Sequence, residues 1–222
     1  MTRRSSTPEP EAAAGRRWGG TTLESRQAAR RAQLVEAGVE LLGTEGAAGV
    51  TVRAVCRASK LSERYFYESF DGRDALLRAV HAQVAGEARA AISAAVAAHA
   101  DAEADEALAH AAVAAFTAFL EEDPRRGRVL LSESFSDTVL ARHDIELVPT
   151  FAALLVAQIT ALPDAPDATD AELTAVALLG ALRNLYLAWL LGEPPISTAR
   201  LNAHAAALVI AAARVSSRDA VD

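Results

Sequence analysis

The chain has 222 residues and a formal net charge of −7; apolar residues make up 51%, yet about a quarter of the chain is Ala, which favours helix without adding much core volume. A single cysteine, Cys56, excludes an internal disulfide, and no apolar run approaches the roughly 18 residues of a membrane span, the longest being 185–191 and 205–213. The charge is uneven: residues 1–78 hold 13 Lys+Arg against 10 Asp+Glu, and residues 79–222 hold 9 against 19, so a mildly basic N-terminal part precedes an acidic remainder.

Residues 1–20 are rich in Arg, Ser, Pro and Gly with no apolar period, which predicts a disordered arm; its Arg3, Arg4, Arg16 and Arg17 suit DNA phosphates or the minor groove, and a solubilising tail explains them equally. The stretch has no apolar core of a secretory signal, so a cytoplasmic protein is expected. A first helix is predicted from Thr21, where Thr21 and Glu24 have capping-box spacing. Leu34, Ala37, Leu41 and Leu42 share its apolar face. GTEGAAG at 43–49 ends it. Thr51 is a natural cap for a short helix with Val52, Val55 and Cys56 on one side. That helix stops at Ser59, Lys60-Leu61 turns, and Ser62 opens another short helix to about Phe70. Asp71 to Asp74 begins a long one. Further helices are expected over 73–99, 104–122, 125–133, 137–162, 169–192 and 197–215, about nine in all. The fold class is therefore all-α: a small three-helix unit at 21–80 and a larger helical domain at 81–222.

The stretch TVRAVCRASKLSERYFYESF at 51–70 carries the functional signal. Two short helices across a tight turn with a buried aliphatic make a helix-turn-helix. At 100° per residue, Phe66 and Phe70 point together into the core. Arg64, Tyr65 and Glu68 then face outward, with Glu63 and Tyr67 on the flanks. Arg pairs with guanine, Glu accepts from cytosine and Tyr reaches phosphates, so such a face suits the major groove.

Residues 25–80 resemble the DNA-binding domain of the TetR family of bacterial transcriptional regulators. The likeness runs through Leu34–Leu42, Glu45-Gly46, Thr51-Val52, Leu61-Ser62, the run Tyr65 to Phe70, and Gly72 to Leu77. Tyr65 and Ser69 depart from the family's usual threonine and histidine. The resemblance implies that Thr51, Arg53, Lys60, Ser62, Arg64, Tyr65, Tyr67 and Arg73 approach a double-stranded DNA operator. Arg64 and Tyr65 are the expected base readers, and Thr51, Tyr67 and Arg73 the expected phosphate contacts. It also implies a homodimer through the 169–192 and 197–215 helices. Ala177, Gly180 and Ala181 on the first would permit close approach. Leu201, Ala205, Leu208, Val209 and Ala212 form an apolar stripe on the second, although core burial within one chain explains that stripe equally. A small-molecule effector pocket is implied in the second domain. Candidate wall residues are Phe116, Phe119, Phe135, Phe151, Tyr186 and Trp189, with His110, His143, Arg183 and Asn184 as polar handles.

No cofactor and no metal are expected, because His110 and His143 lack metal-ligand spacing. No nucleophile elbow, phosphate loop or His-x-x-x-His pair points to an enzyme. The expected function is a ligand-released repressor. The competing reading is a helical protein-interaction dimer that uses its helix-turn-helix only for packing.

Overall fold

The computed structural model describes residues 22–99, 105–160 and 166–216, all of them in helices and their connections. Helix α1 spans Leu23–Glu45 and is capped by Thr22, whose hydroxyl accepts from Ser25 N–H at 3.1 Å. The cap thus falls one residue beyond the predicted Thr21, which lies outside the described residues together with the proposed arm at 1–20. The helix also runs through Gly43, because only at Gly46, with φ of 78°, does the backbone enter a region that other residues avoid. After one tight turn at Ala47–Gly49, Thr51 caps α2 (Val52–Ser59) as expected, accepting from Ala54 N–H at 3.2 Å. Lys60 then adopts the left-handed conformation (φ 57°), and α3 (Glu63–Ser69) follows. Ser62 stands at the cap position of α3 without bonding through its side chain, so its predicted role is only partly realised.

Helices α1 to α3 pack on the start of α4 (Arg73–Ala98). Leu34, Leu42, Val55, Phe66 and Leu76 meet there with essentially no exposure. The approach of α1 to α4 is close at Gly38: a Cβ there would lie 2.5 Å from Val80 Cγ2, so only glycine fits without displacing that buried valine. Helix α4 continues into a second layer with α5 (Asp105–Glu122), α7 (Thr138–Ile159), α8 (Ala168–Leu191) and α9 (Thr198–Ser216).

The helix predicted at 125–133 is not continuous. A single turn, α6 (Pro124–Gly127), leads into a π-helical turn at Arg128–Ser132 and a 3₁₀ turn at Glu133–Phe135. Val129, Leu130 and Leu131 are all buried, and three successive buried side chains occupy far more than one face of an α-helix. This segment is enclosed by α1, α4 and α8, and its irregular backbone lets all three side chains find apolar surroundings.

Helix α8 is the one described helix that is long and apolar enough to cross a membrane, with a mean hydropathy of 1.5 over an 18-residue window. The run is not uninterrupted: Arg183 and Asn184 fall inside it, and Ala content raises the average. Only 17% of that window is buried within the chain.

Candidate DNA-reading face and internal cavity

Helix α3 is seated by its aromatic residues. Phe66 is fully buried and Phe70 nearly so, their rings 5.8 Å apart, as the helical spacing predicts. Two arginines of α1 complete the seat: the Arg30 guanidinium lies 4.2 Å from the Tyr65 ring centre, and that of Arg31 lies 4.5 Å from the centre of Phe70. Tyr65 is consequently only 37% exposed, whereas Tyr67 is 57% exposed. The expected order of the two tyrosines is reversed, with Tyr67 the more outward and Tyr65 shielded by Arg30.

Arg64 projects furthest, its side chain 84% exposed, and its Nε donates to Glu68 at 3.0 Å. Arg30 reaches the other oxygen of the same carboxylate at 3.4 Å. These two guanidinium groups offset the negative charge of Glu68 on the outward face of α3. Around α3, Arg53 is 92% exposed and 3.8 Å from Glu63. Lys60, Ser62 and Thr51 are exposed as well. The sequence reading missed Arg30 and Arg31; the Arg-Arg pair at the middle of the first helix was the available signal.

Arg73 behaves differently from the rest. Its guanidinium donates to the carbonyl of Val50 at 2.9 Å, to that of Ala47 at 2.7 Å, and to Asp137 at 3.0 Å. Its Nε and one terminal nitrogen are taken up in satisfying a loop and pairing a carboxylate, which gives it a structural role the sequence did not suggest, while the other terminal nitrogen reaches only Asp74 at 3.5 Å. Burial raises the Asp137 carboxyl, but Arg73 and the N–H groups of Leu140 and Val139 outweigh it and hold the group below its ordinary range. A second bridge lies alongside. Glu133, only 6% exposed, accepts from Ala47 N–H at 2.7 Å and from Arg128 Nε at 2.9 Å, while Arg128 also donates to Thr44 O at 2.7 Å. The loop between α1 and α2 is thereby tied to residues 128–137. A Cβ on Gly46 would come within 2.8 Å of the Arg128 guanidinium and 3.1 Å of the Glu133 carboxylate, a second reason for glycine there.

Between α4, α5, α7 and α8 lies a cavity of about 400 Å³. Of the expected wall residues, Phe116, Phe151, Arg183 and Tyr186 line it. Phe119 does not: it is buried elsewhere under the Arg126 guanidinium at 4.2 Å. Trp189 packs edge-on to Tyr186 at 6.3 Å, outside the lining. His143 sits behind the wall, its ring 5.5 Å from that of His81 and its Nδ1 3.1 Å from Glu146. Phe135 is 67% exposed, and His110 and Asn184 face solvent, so none of the three is a wall or a handle. These residues share helices with true lining residues, and one sequence cannot say which side of an apolar helix faces the void.

The polar end of the cavity was largely unforeseen. It consists of His81 from α4, Asp144 from α7 and Arg183 from α8. Arg183 hydrogen-bonds Asp144 and the Ser134 hydroxyl, and donates to Leu131 O at 3.3 Å. Arg183 thus ties the cavity to the same 128–137 segment that holds the α1–α2 loop. Burial pushes the Asp144 carboxyl up, against the opposing pull of Arg183. His81 is 1% exposed, and neither ring nitrogen has a hydrogen-bond partner. Burial first, then His143 and Arg183, lower its pKa to about 4, so it is neutral at pH 7.

An unfolded histidine takes its proton near pH 6.5, so the unfolded state binds more protons than the folded state between 6.5 and 4. Stability contributed at neutral pH is therefore lost as pH falls through that window, by up to about 3 kcal/mol for this group. Urea titrations at pH 7.5 and 5.0 check this: the loss should be about 2 kcal/mol smaller in His81→Asn than in wild type. Equal losses in the two proteins would contradict it.

Residues 34–80 match the family model described as bacterial regulatory proteins, tetR family. No curated protein matches the sequence. Among solved structures, a candidate transcriptional regulator from Pseudomonas aeruginosa PAO1 superposes with a TM-score of 0.69 at 22% identity, covering 90% of this chain and 100% of that one. A candidate TetR-family regulator from Mesorhizobium loti MAFF303099 gives 0.65 at 19% identity, over 86% and 98%. FadR of Bacillus subtilis, solved with stearoyl-CoA, gives 0.68 at 13% identity, over 82% and 98%. At these identities the superpositions speak for the fold, and the family match covers the helix-turn-helix region. Residues 34–80 are thus a DNA-binding region of the TetR type, carried on a fold that the chain shares with solved TetR-family regulators.

Proposed function

We propose that the chain is a cytoplasmic, homodimeric repressor that reads operator DNA with α3 and releases it when a small molecule enters the cavity. The observation that carries this is the outward row of α3: Arg64 and Tyr67 stand clear of the protein while Phe66 and Phe70 anchor the helix. Arg64 is the base reader, since its exposed fork suits a guanine edge. Tyr67, Ser62, Lys60, Arg53 and Thr51 contact phosphates, and Tyr65 backs the helix through Arg30. Arg73 is left out of the DNA face because its Nε and one terminal nitrogen are committed.

Dimerisation is supported by α8. Leu173, Val176 and Leu191 are 64%, 49% and 69% exposed, and Ala177, Gly180 and Ala181 are exposed among them, so this apolar side has no cover among the described residues. Val176 and Gly180 also line the cavity, so the open space beside Gly180 belongs at least in part to that void. Helix α9 contributes less than its stripe implied, because Leu201 and Ala205 are fully buried inside the chain. A two-fold dimer would set two α3 helices about one DNA turn apart.

The test is fluorescence anisotropy with duplexes selected by the full-length protein from genomic fragments. Arg64→Ala should weaken binding to the selected site by about 1–3 kcal/mol while leaving binding to unrelated DNA nearly unchanged. Equal affinity of wild type and variant for the selected site would remove Arg64 from the reading role. A folded dimer that binds no fragment would instead favour the protein-interaction reading.

A further inference from the structure

The cavity has one polar end, and the state of its three groups restricts what can enter. Arg183 and Asp144 neutralise each other, and the Arg183 NH groups are further engaged by Ser134 and Leu131 O. His81 is left over with both ring nitrogens, and the buried Nε of Arg183 and Nε2 of His143 are unpartnered beside it. Its Nε2 lies 3.9 Å from Asp144 Oδ1, beyond hydrogen-bond reach, and both ring nitrogens are unpartnered at 1% exposure. The rest of the lining, including Ile92, Val113, Leu147 and Phe151, is apolar.

A buried polar group without a partner is costly, and a ligand atom that bonds it recovers that cost. A carboxylate arriving here would leave water beside Asp144, and although the Arg183 Nε is unpartnered, the charge of Arg183 is already balanced by Asp144. An ammonium would arrive beside the Arg183 guanidinium with no uncommitted anion. Either charge is expensive to bury unpaired. A neutral imidazole offers one N–H and one lone pair, which suit a hydroxyl or a carbonyl. We propose that the effector is a neutral, mostly apolar molecule bearing a terminal hydroxyl or carbonyl group, which docks on His81 with its apolar body between α5, α7 and α8.

This inference rests on the reading of the cavity as the effector site and adds the chemical class of the effector. The apolar body supplies most of the affinity, and the His81 contact supplies the choice among head groups.

Calorimetry on the full-length protein at pH 7.5 compares four ligands that share a ten-carbon chain: 1-decanol, 2-decanone, decanoate and decylammonium. The alcohol and the ketone should bind, and each should bind at least about tenfold more tightly than either ion. His81→Leu, which keeps the side chain apolar and of similar volume, should weaken the alcohol about tenfold and leave the two ions unchanged. The ranking on wild type alone decides the matter if that variant does not fold. Binding of decanoate or decylammonium as tight as decanol, or no binding of any of the four, would overturn the proposal. So would a folded His81→Leu protein with unchanged decanol affinity. Because none of these measurements involves DNA, operator anisotropy on the same sample reports separately on the regulator reading.

Discussion

Phe66→Ala should lower the unfolding free energy by about 3–5 kcal/mol, the largest single effect expected in this protein. Phe66 is fully buried, and its ring meets Tyr67 edge-on at 5.4 Å and Phe70 at 5.8 Å. Truncation removes the contacts of a whole ring and leaves a void under a helix of only seven residues. So short a helix cannot persist on backbone hydrogen bonds alone, so α3 should lose its position along with its anchor. DNA affinity would then fall by more than for Arg64→Ala, although Phe66 itself touches no DNA. Urea denaturation at pH 7.5 measures the stability change. A loss under about 1 kcal/mol would mean that α3 is held by something other than its aromatic seat.

The second large effect is expected at Glu133. Glu133→Ala strands the Ala47 N–H in a buried loop, which costs about 1–3 kcal/mol, and it frees Arg128 from its partner. The Arg128 side chain is 40% exposed, so water takes over much of that pairing. Removing the buried carboxylate also removes its own desolvation cost, which offsets part of the loss. A net destabilisation of about 2–3 kcal/mol follows. Glu133→Gln keeps an oxygen for Ala47 N–H and should lose roughly half as much. Hydrogen exchange at the Ala47 amide separates the two, since it should quicken sharply in the Ala variant and modestly in the Gln variant. Unchanged exchange in Glu133→Ala would show that the α1–α2 loop does not depend on this bridge.

The helix-turn-helix was legible because its determinants are local. Thr51 caps its own helix, Lys60 makes its own turn, and Phe66 and Phe70 share a face by helical spacing alone. The long helices were legible for the same reason, since breaks such as Asp123-Pro124 and Gly192-Glu193-Pro194-Pro195 punctuate long Ala-rich periods. Where side chains act across distance, local reading failed. Arg73 lies 64 residues from Asp137, and the Glu133 bridge to Ala47 spans 86. Nothing in a window of the sequence announces either, and the 125–133 segment loses its regular helix under the enclosure in which these bridges form. His81 was missed because a histidine inside an amphipathic helix reads like any core residue. Its significance comes from lacking a partner, which only three-dimensional packing can reveal. Phe119, His143 and Trp189 were overassigned because aromatic and polar residues on cavity-bearing helices are indistinguishable by period from those behind the wall.

The measurement that tests the account most directly is the salt dependence of anisotropy for full-length wild-type protein on its selected duplex. A dimer whose two helix-turn-helix units each bring Arg64 of α3, Arg53 of α2 and Lys60 of the turn to phosphate and base should release several counterions. Affinity should then fall by about a thousandfold between 50 and 200 mM salt, with saturation at two chains per site. A well-folded protein whose binding is weak at both salt concentrations, or whose affinity barely responds to salt, would contradict operator reading by this face.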